Sequence, residues 1–123
     1  MDILLLPEIL VREDGSGKEI ALGTNRGRPL LLTLDVTRMM EQESLDISIW
    51  GSTDQRHWRQ LATYPQKFHC GTYLLMLDLS RHQEVRYLRA QWRMSRWGGD
   101  ELAVLAGFHL SAQELKAEKA ATA

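Results

Sequence analysis

The feature that most constrains this chain is a series of short segments in which apolar and polar residues alternate one by one. The clearest, LLLTLDVT at 30–37, has an aliphatic residue at every even position, and LDISI at 45–49 has one at every odd position. In VRYLRAQWRM at 85–94, Leu88, Ala90, Trp92 and Met94 fall on one side. A period of two is that of a β-strand with one buried face, because successive side chains point to opposite faces.

Further segments complete the pattern. GTYLLMLDLS at 71–80 is an apolar run of strand length, and 104–110 is another candidate strand. Turn signals separate them: DGSG at 14–17, NRG at 25–27, GSTD at 51–54 and GGD at 98–100. Many short strands with no long helical period predict an all-β fold, an antiparallel and jelly-roll-like β-sandwich.

The domain boundary follows from composition near the C-terminus. Residues 111–123, SAQELKAEKAATA, have good helix-forming composition and are predicted as a short helical or frayed tail. Residues 1–110 are then one β-sandwich domain. RMMEQES at 38–44 is read as a polar loop or one helical turn.

The apolar start, MDILLLPEILV, lacks a basic region and is interrupted by Pro7 and Glu8. It is too short to span a bilayer, so we expect neither a signal peptide nor a membrane span. This segment either closes the sandwich or docks on another copy. One cysteine, Cys70, excludes an internal disulfide, and we expect it to be a small buried residue. A cytoplasmic protein fits these features, unless the sequence is a trimmed mature form.

The charge balance limits what the whole molecule can attract. The 123 residues are 44% hydrophobic, which suits one domain with a real core. Sixteen acidic and fifteen basic residues leave a formal charge of −1. No overall field therefore draws the chain to nucleic acid or to an anionic membrane, and any electrostatic function must come from local clustering.

A resemblance rests on two stretches. Alternation runs into Ser52-Thr53-Asp54 before Trp58 opens the next segment, and LDLS at 77–80 is followed by VRYLR at 85–89. These resemble the hairpin and a later strand of discoidin-like domains, also called the F5/8 type C or galactose-binding-like family, over about 45–93. The turn glycine is replaced by Gln55-Arg56-His57, and the disulfide of many members is impossible here.

The resemblance implies an eight-stranded jelly-roll-like sandwich that binds rather than catalyses. Members bind glycans, lipid headgroups or proteins through loops at one end of the sandwich. The family's ligand loops do not align with this chain, so no binding residue is carried over.

The densest cluster of side chains suited to binding is RHQEVRYLRAQWRMSRW at 81–97, the Arg/Trp segment. Arginine and aromatic residues are enriched at protein interfaces, so we predict self-association or docking on a protein partner through this segment. The predicted interface residues are Arg86, Tyr87, Arg89, Trp92, Arg93, Arg96 and Trp97. Alternatively, these arginines pair with Asp46, Asp78 or Glu84 on neighbouring strands. Single-stranded nucleic-acid binding is disfavoured by the near-zero net charge.

Carbohydrate binding at the rim of the sandwich is the second candidate function. Loops 51–58 and 97–100 could present an indole to a sugar face. The loop candidates are Asp54, His57, Trp58 and Asp100. A structural role for Trp58 competes with this one, because an aromatic after a tight turn can fold over the sandwich end and seal the core.

Catalytic groups do not converge in the sequence. The four histidines, His57, His69, His82 and His109, are scattered, and none forms an HxH pair. His69 and Cys70 are adjacent, but neighbours on a strand point to opposite faces. We therefore expect a non-enzyme that has no metal site and no cofactor.

Overall fold

The structure is a computed structural model, and it describes residues 2–96 and 105–115. These residues form nine β-strands and two short 3₁₀ turns. The strands are β1 (Asp2–Val11), β2 (Gly15–Ser16), β3 (Ile20–Ala21), β4 (Pro29–Met39), β5 (Glu43–Ser52), β6 (Arg59–Thr63), β7 (Gly71–Asp78), β8 (Tyr87–Arg96) and β9 (Ala106–Glu114). The 3₁₀ turns are Gly23–Asn25 and Leu79–Arg81.

The strands form two sheets, and every pairing is antiparallel. Sheet A has the order β1-β9-β4-β7. Sheet B has the order β2-β8-β5-β6, and β3 also pairs with β8. The predicted all-β antiparallel sandwich is confirmed.

The core lies between the sheets and uses the side chains that the alternation had placed on one face. In β4 the even positions 30–36 are buried, and in β5 the odd positions 45–49 are fully buried. Leu88 and Ala90 of β8 meet them, and Phe108 and Leu110 come from β9. Complete burial of a leucine or isoleucine contributes roughly 1.5–3 kcal/mol relative to exposure. The core therefore needs no helix to cover either sheet.

The apolar N-terminal segment closes the sandwich. It forms edge strand β1 of sheet A, and Leu5 and Leu6 are buried in the core. The β1–β9 register shifts between Leu4 and Leu6 and again between Leu6 and Ile9, the interval that contains Pro7. Proline has no N–H to donate, so an edge strand with an irregular register accommodates it.

The ends of the strands differ from the prediction in two places. Only residues 40–42 separate β4 from β5, so the predicted loop at 38–44 is a tight turn, in which Gln42 has φ +57°. Strand β9 runs to Glu114 and therefore includes the first four residues of the predicted tail, 111–114. The rest of that tail lies largely outside the described residues. Within 2–96 and 105–115, the chain has no helix that is long and apolar enough to cross a membrane.

Candidate functional site

The β5–β6 turn is held by the side chain of Asp54. Its Oδ1 accepts backbone N–H bonds from Arg56 and His57, both at 2.9 Å, and its Oδ2 lies 2.7 Å from His57 Nδ1. These bonds, led by the backbone N–H of His57 and then its imidazole, hold the pKa of Asp54 far below its ordinary value. Gln55 takes φ +66°, a left-handed conformation that glycine adopts more easily. Asp54 and His57 thus bond to each other within the turn.

Trp58 lies on the outer face of sheet B rather than over the core. Its ring carries the Arg89 guanidinium 4.3 Å from the centroid, and its Nε1 donates to the Gln55 carbonyl at 3.3 Å. Trp58 is not among the side chains that pack against the core. The expectation that it seals the end of the sandwich is therefore wrong, because the indole packs against the guanidinium of Arg89 on β8. The rim pocket beside this loop has a volume of about 230 Å³.

Arg89 is held by its neighbours in the fold. Besides the Trp58 ring, Glu19 Oε1 lies 3.9 Å from its Nη1. Its Nε is buried without a hydrogen-bond partner among the described residues. Arg89 therefore makes its main contacts within the molecule, as in the ion-pair alternative considered for the Arg/Trp segment. Its acidic partner is Glu19, however, and not Asp46, Asp78 or Glu84.

The structure divides the Arg/Trp segment between the two faces of β8. Tyr87, Arg89 and Arg93 lie on the outer face of sheet B, and Trp92 points toward the core side. Trp92 packs edge-on against Phe108, with ring centroids 5.6 Å apart, and its Nε1 donates to the Glu13 carbonyl at 2.9 Å.

The flanks of the same segment complete this picture. Arg86 is exposed just before β8, and Arg96 donates through Nε to the Glu41 carbonyl at 3.3 Å. Trp97 and Asp100 lie outside the described residues. The predicted interface through this segment stays a prediction.

The outer face of sheet A carries most of the exposed large apolar side chains. Leu4, Leu10, Leu74 and Met76 are 56%, 53%, 62% and 61% exposed. Cross-strand pairing sets Leu4, Ser111, Thr33 and Leu74 in one row across all four strands. A neighbouring row contains Gln113, Leu31 and Met76. We call this surface, formed by Leu4, Leu10, Leu31, Thr33, Leu74, Met76, Ser111 and Gln113, the apolar face.

A polar cluster lies between Leu10 and the rest of the apolar face, because His109 stands between Gly107, opposite Leu10, and Ser111, opposite Leu4. His109 Nε2 lies 2.7 Å from Asp35 Oδ2, its Nδ1 lies 3.9 Å from Glu8, and Thr72 donates to the other oxygen of Asp35. Within 2–96 and 105–115, no group of three His, Cys, Asp or Glu side chains is placed to hold a metal ion. The cluster is therefore a set of cross-strand pairs that separates Leu10 from the other apolar residues of the face.

Two further residues depart from the sequence interpretation. Cys70 lies in the β6–β7 loop and is exposed, so the expectation of a buried thiol is wrong. Glu43 was missed. It is 1% exposed, and its two oxygens accept the backbone N–H groups of Met40 at 3.2 Å and Leu105 at 2.7 Å. Extending the odd-position alternation of β5 one step back would have placed Glu43 on the core face.

Strand pairing defines the class of protein: a two-layered antiparallel β-sandwich. No protein-family model matches the chain, and no curated protein matches it. Among solved structures, the chain is similar to one in the "Structure of infectious bursal disease virus Gx strain", with 13% sequence identity and a TM-score of 0.46. That match covers 91% of this chain but only 31% of the other. The discoidin-like resemblance stays a prediction.

Proposed function

We propose that this protein is a non-catalytic assembly module that associates with a second copy of itself through the apolar face. The observation that carries the proposal is the position of Leu4, Leu74 and Met76, each more than half exposed, in two neighbouring rows on one side of one sheet, with exposed Leu10 beyond the polar cluster on the same side. Several large apolar side chains exposed on one sheet face are typical of an interface, because their contact with water is unfavourable.

The order of side chains along the row that joins Leu4 to Leu74 favours a second copy as the occupant. In the row of Leu4, Ser111, Thr33 and Leu74, leucines stand at both edges and small hydroxyl side chains in the middle. If a two-fold axis runs parallel to the strands between the two faces, β7 of the second copy lies over β1 of the first. Leucine then meets leucine, and hydroxyl meets hydroxyl. Such self-complementarity is what an isologous interface requires.

Strand β4 fits the same role. Its LLLTL sequence would be an aggregation hazard on an open edge, but it lies between β9 and β7. Only its outward Leu31 and Thr33 reach the apolar face, so the interface is formed by side chains while the central backbone stays paired.

The experiment is sedimentation velocity on the wild-type chain and on Leu74→Lys/Met76→Lys. We expect the wild type at twice the chain mass of 14.1 kDa. The double variant should weaken association at least about 100-fold, because two lysines would be buried without partners. Ser95→Lys is the matched control, since Ser95 is exposed on β8 of sheet B, and it should remain a dimer.

The predicted interface in the Arg/Trp segment is tested in the same run. Arg89→Glu/Arg93→Glu changes only the outer face of sheet B, so we expect its mass to match the wild type. If Arg89→Glu/Arg93→Glu is monomeric while Leu74→Lys/Met76→Lys is still a dimer, the interface lies in the Arg/Trp segment and not on the apolar face. A wild-type chain that is monomeric at all concentrations would overturn the proposal.

A further inference from the structure

A groove crosses the outer face of sheet B, on the side of the molecule opposite the apolar face. It has a volume of about 490 Å³ and is lined by residues of β5, β6 and β8, with Asp14 and with Gly15 of β2. Cross-strand pairs define its floor: Ser48 stands between Thr63 and Gln91, and Asp46 stands opposite Arg93. This size lies within the roughly 300–1,000 Å³ of small-ligand sites.

Trp50 is held at one end of the groove. It is half-buried, and its Nε1 donates to Ser48 Oγ at 2.8 Å, two positions earlier on the same face. Cross-strand pairing places Trp50 beside Gln60 on one side and Arg89 on the other. The bond orients the indole along its own strand, toward the middle of the groove, and no other described residue stacks on its ring.

The polar side chains around Trp50 retain their hydrogen-bonding capacity. The amides of Gln60 and Gln91 and the guanidinium of Arg93 form no side-chain hydrogen bond or ion pair with other described residues. Asp46 accepts one long bond, from Gln66 Nε2 at 3.3 Å, through a single oxygen. Donors and acceptors therefore face the same groove from three adjacent strands.

The chemistry of the lining selects the ligand class. Two carboxylates, Asp14 and Asp46, and one guanidinium, Arg93, disfavour a phosphate or a nucleic-acid backbone, which needs net positive charge. Planar amides and a carboxylate can bond sugar hydroxyls as both donors and acceptors, while an indole packs on the C–H face of a pyranose ring. We infer that this groove binds a neutral oligosaccharide, with Trp50 as the stacking platform.

This site differs from the rim site predicted from the sequence, and it is independent of the proposed assembly. The rim site used the loop that contains Trp58, whose ring already carries Arg89 at 4.3 Å. The groove and the apolar face lie on opposite sides of the sandwich, so either can fail while the other holds.

The test is titration of the ¹⁵N-labelled full chain with cellohexaose, xylohexaose, mannohexaose and maltohexaose, with calorimetry on any that bind. We expect at least one hexasaccharide to shift the Trp50 indole N–H and the Gln60 and Gln91 side-chain amides. Gln91→Ala should weaken that binding about tenfold, the effect of roughly one hydrogen bond. Trp50→Ala should weaken it by more, because the stacking surface is lost.

Trp58→Ala is the matched control, since it removes a half-buried indole that does not line the groove and should leave the affinity unchanged. Inorganic phosphate and a heparin hexasaccharide should produce no shifts in the groove. The inference is overturned if none of the four neutral hexasaccharides binds at millimolar concentration. It is also overturned if binding is lost in Trp58→Ala and retained in both folded groove variants, which would assign the sugar to the rim.

Discussion

At the scale of single residues, two tyrosine hydroxyls differ in whether they have a hydrogen-bond partner. Tyr73 donates to the His69 carbonyl at 2.7 Å, whereas the Tyr64 hydroxyl is buried without a partner among the described residues. Burial, with the nearby Asp35 charge, raises the pKa of Tyr64, so the phenol stays neutral. A buried hydroxyl without a hydrogen bond costs stability.

We therefore predict opposite effects of the same atom deletion at these two positions. Tyr64→Phe should raise the free energy of unfolding by about 1 kcal/mol, because it removes an unsatisfied group. Tyr73→Phe should lower it by about 1 kcal/mol, because a hydrogen bond is lost. Urea denaturation followed by circular dichroism measures both. Loss of stability in Tyr64→Phe would mean that this hydroxyl has a partner.

Glu43 yields a second prediction at this scale. Glu43→Ala leaves the N–H groups of Met40 and Leu105 without an acceptor, and it should lower the free energy of unfolding by about 2–4 kcal/mol. Glu41→Ala is the control, because Glu41 is exposed and its backbone carbonyl, which accepts from Arg96, is kept by the substitution; its effect should be within about 0.5 kcal/mol. Equal stability of the two variants would contradict the role given to Glu43.

At the scale of elements, the β5–β6 hairpin is organised by the Asp54 carboxylate. The native pKa of Asp54 is lowered from the ordinary value of 3.8. The unfolded chain therefore binds this proton at a higher pH than the folded chain does. Stability from Asp54 is present above about pH 4 and is lost as the pH falls below it.

The prediction for this hairpin is a change in acid sensitivity. Between pH 7 and pH 3, the urea midpoint of the wild type should fall further than that of Asp54→Asn, because the variant has no carboxylate to protonate. Titration of the Asp54 carboxyl carbon by NMR measures the pKa directly. An ordinary pKa for that carboxyl, with equal falls in the two midpoints, would contradict the turn geometry.

The elements also show how much the sequence could predict. Alternation at 30–36, 45–49 and 88–94 correctly assigned the inward side chains, because the period of a strand is local information. The contact of Trp58 with Arg89 depends on β6 and β8 both flanking β5, and no local pattern contains that strand order. For the same reason, the row that joins Leu4 to Leu74 could not be predicted from either strand alone.

At the scale of the whole molecule, the two outer faces differ in chemistry. The outer face of sheet A exposes leucines and a methionine, while that of sheet B presents amides, charges and an indole. The formal net charge of −1 does not reveal this difference, because it is only the sum over all charged residues. The two proposals use this difference: a second copy on the outer face of sheet A and a polar ligand on that of sheet B.

The central claim is that the apolar face is covered in solution, and Met76 reports on it directly. Met76 is 61% exposed in the single chain, whereas Met94 is 9% exposed in the core. In protein labelled at the methionine methyl groups, a soluble paramagnetic agent broadens exposed methyl signals. We predict that Met76 is protected nearly as well as Met94 at concentrations where the dimer forms. Strong broadening of the Met76 signal at those concentrations would contradict the account.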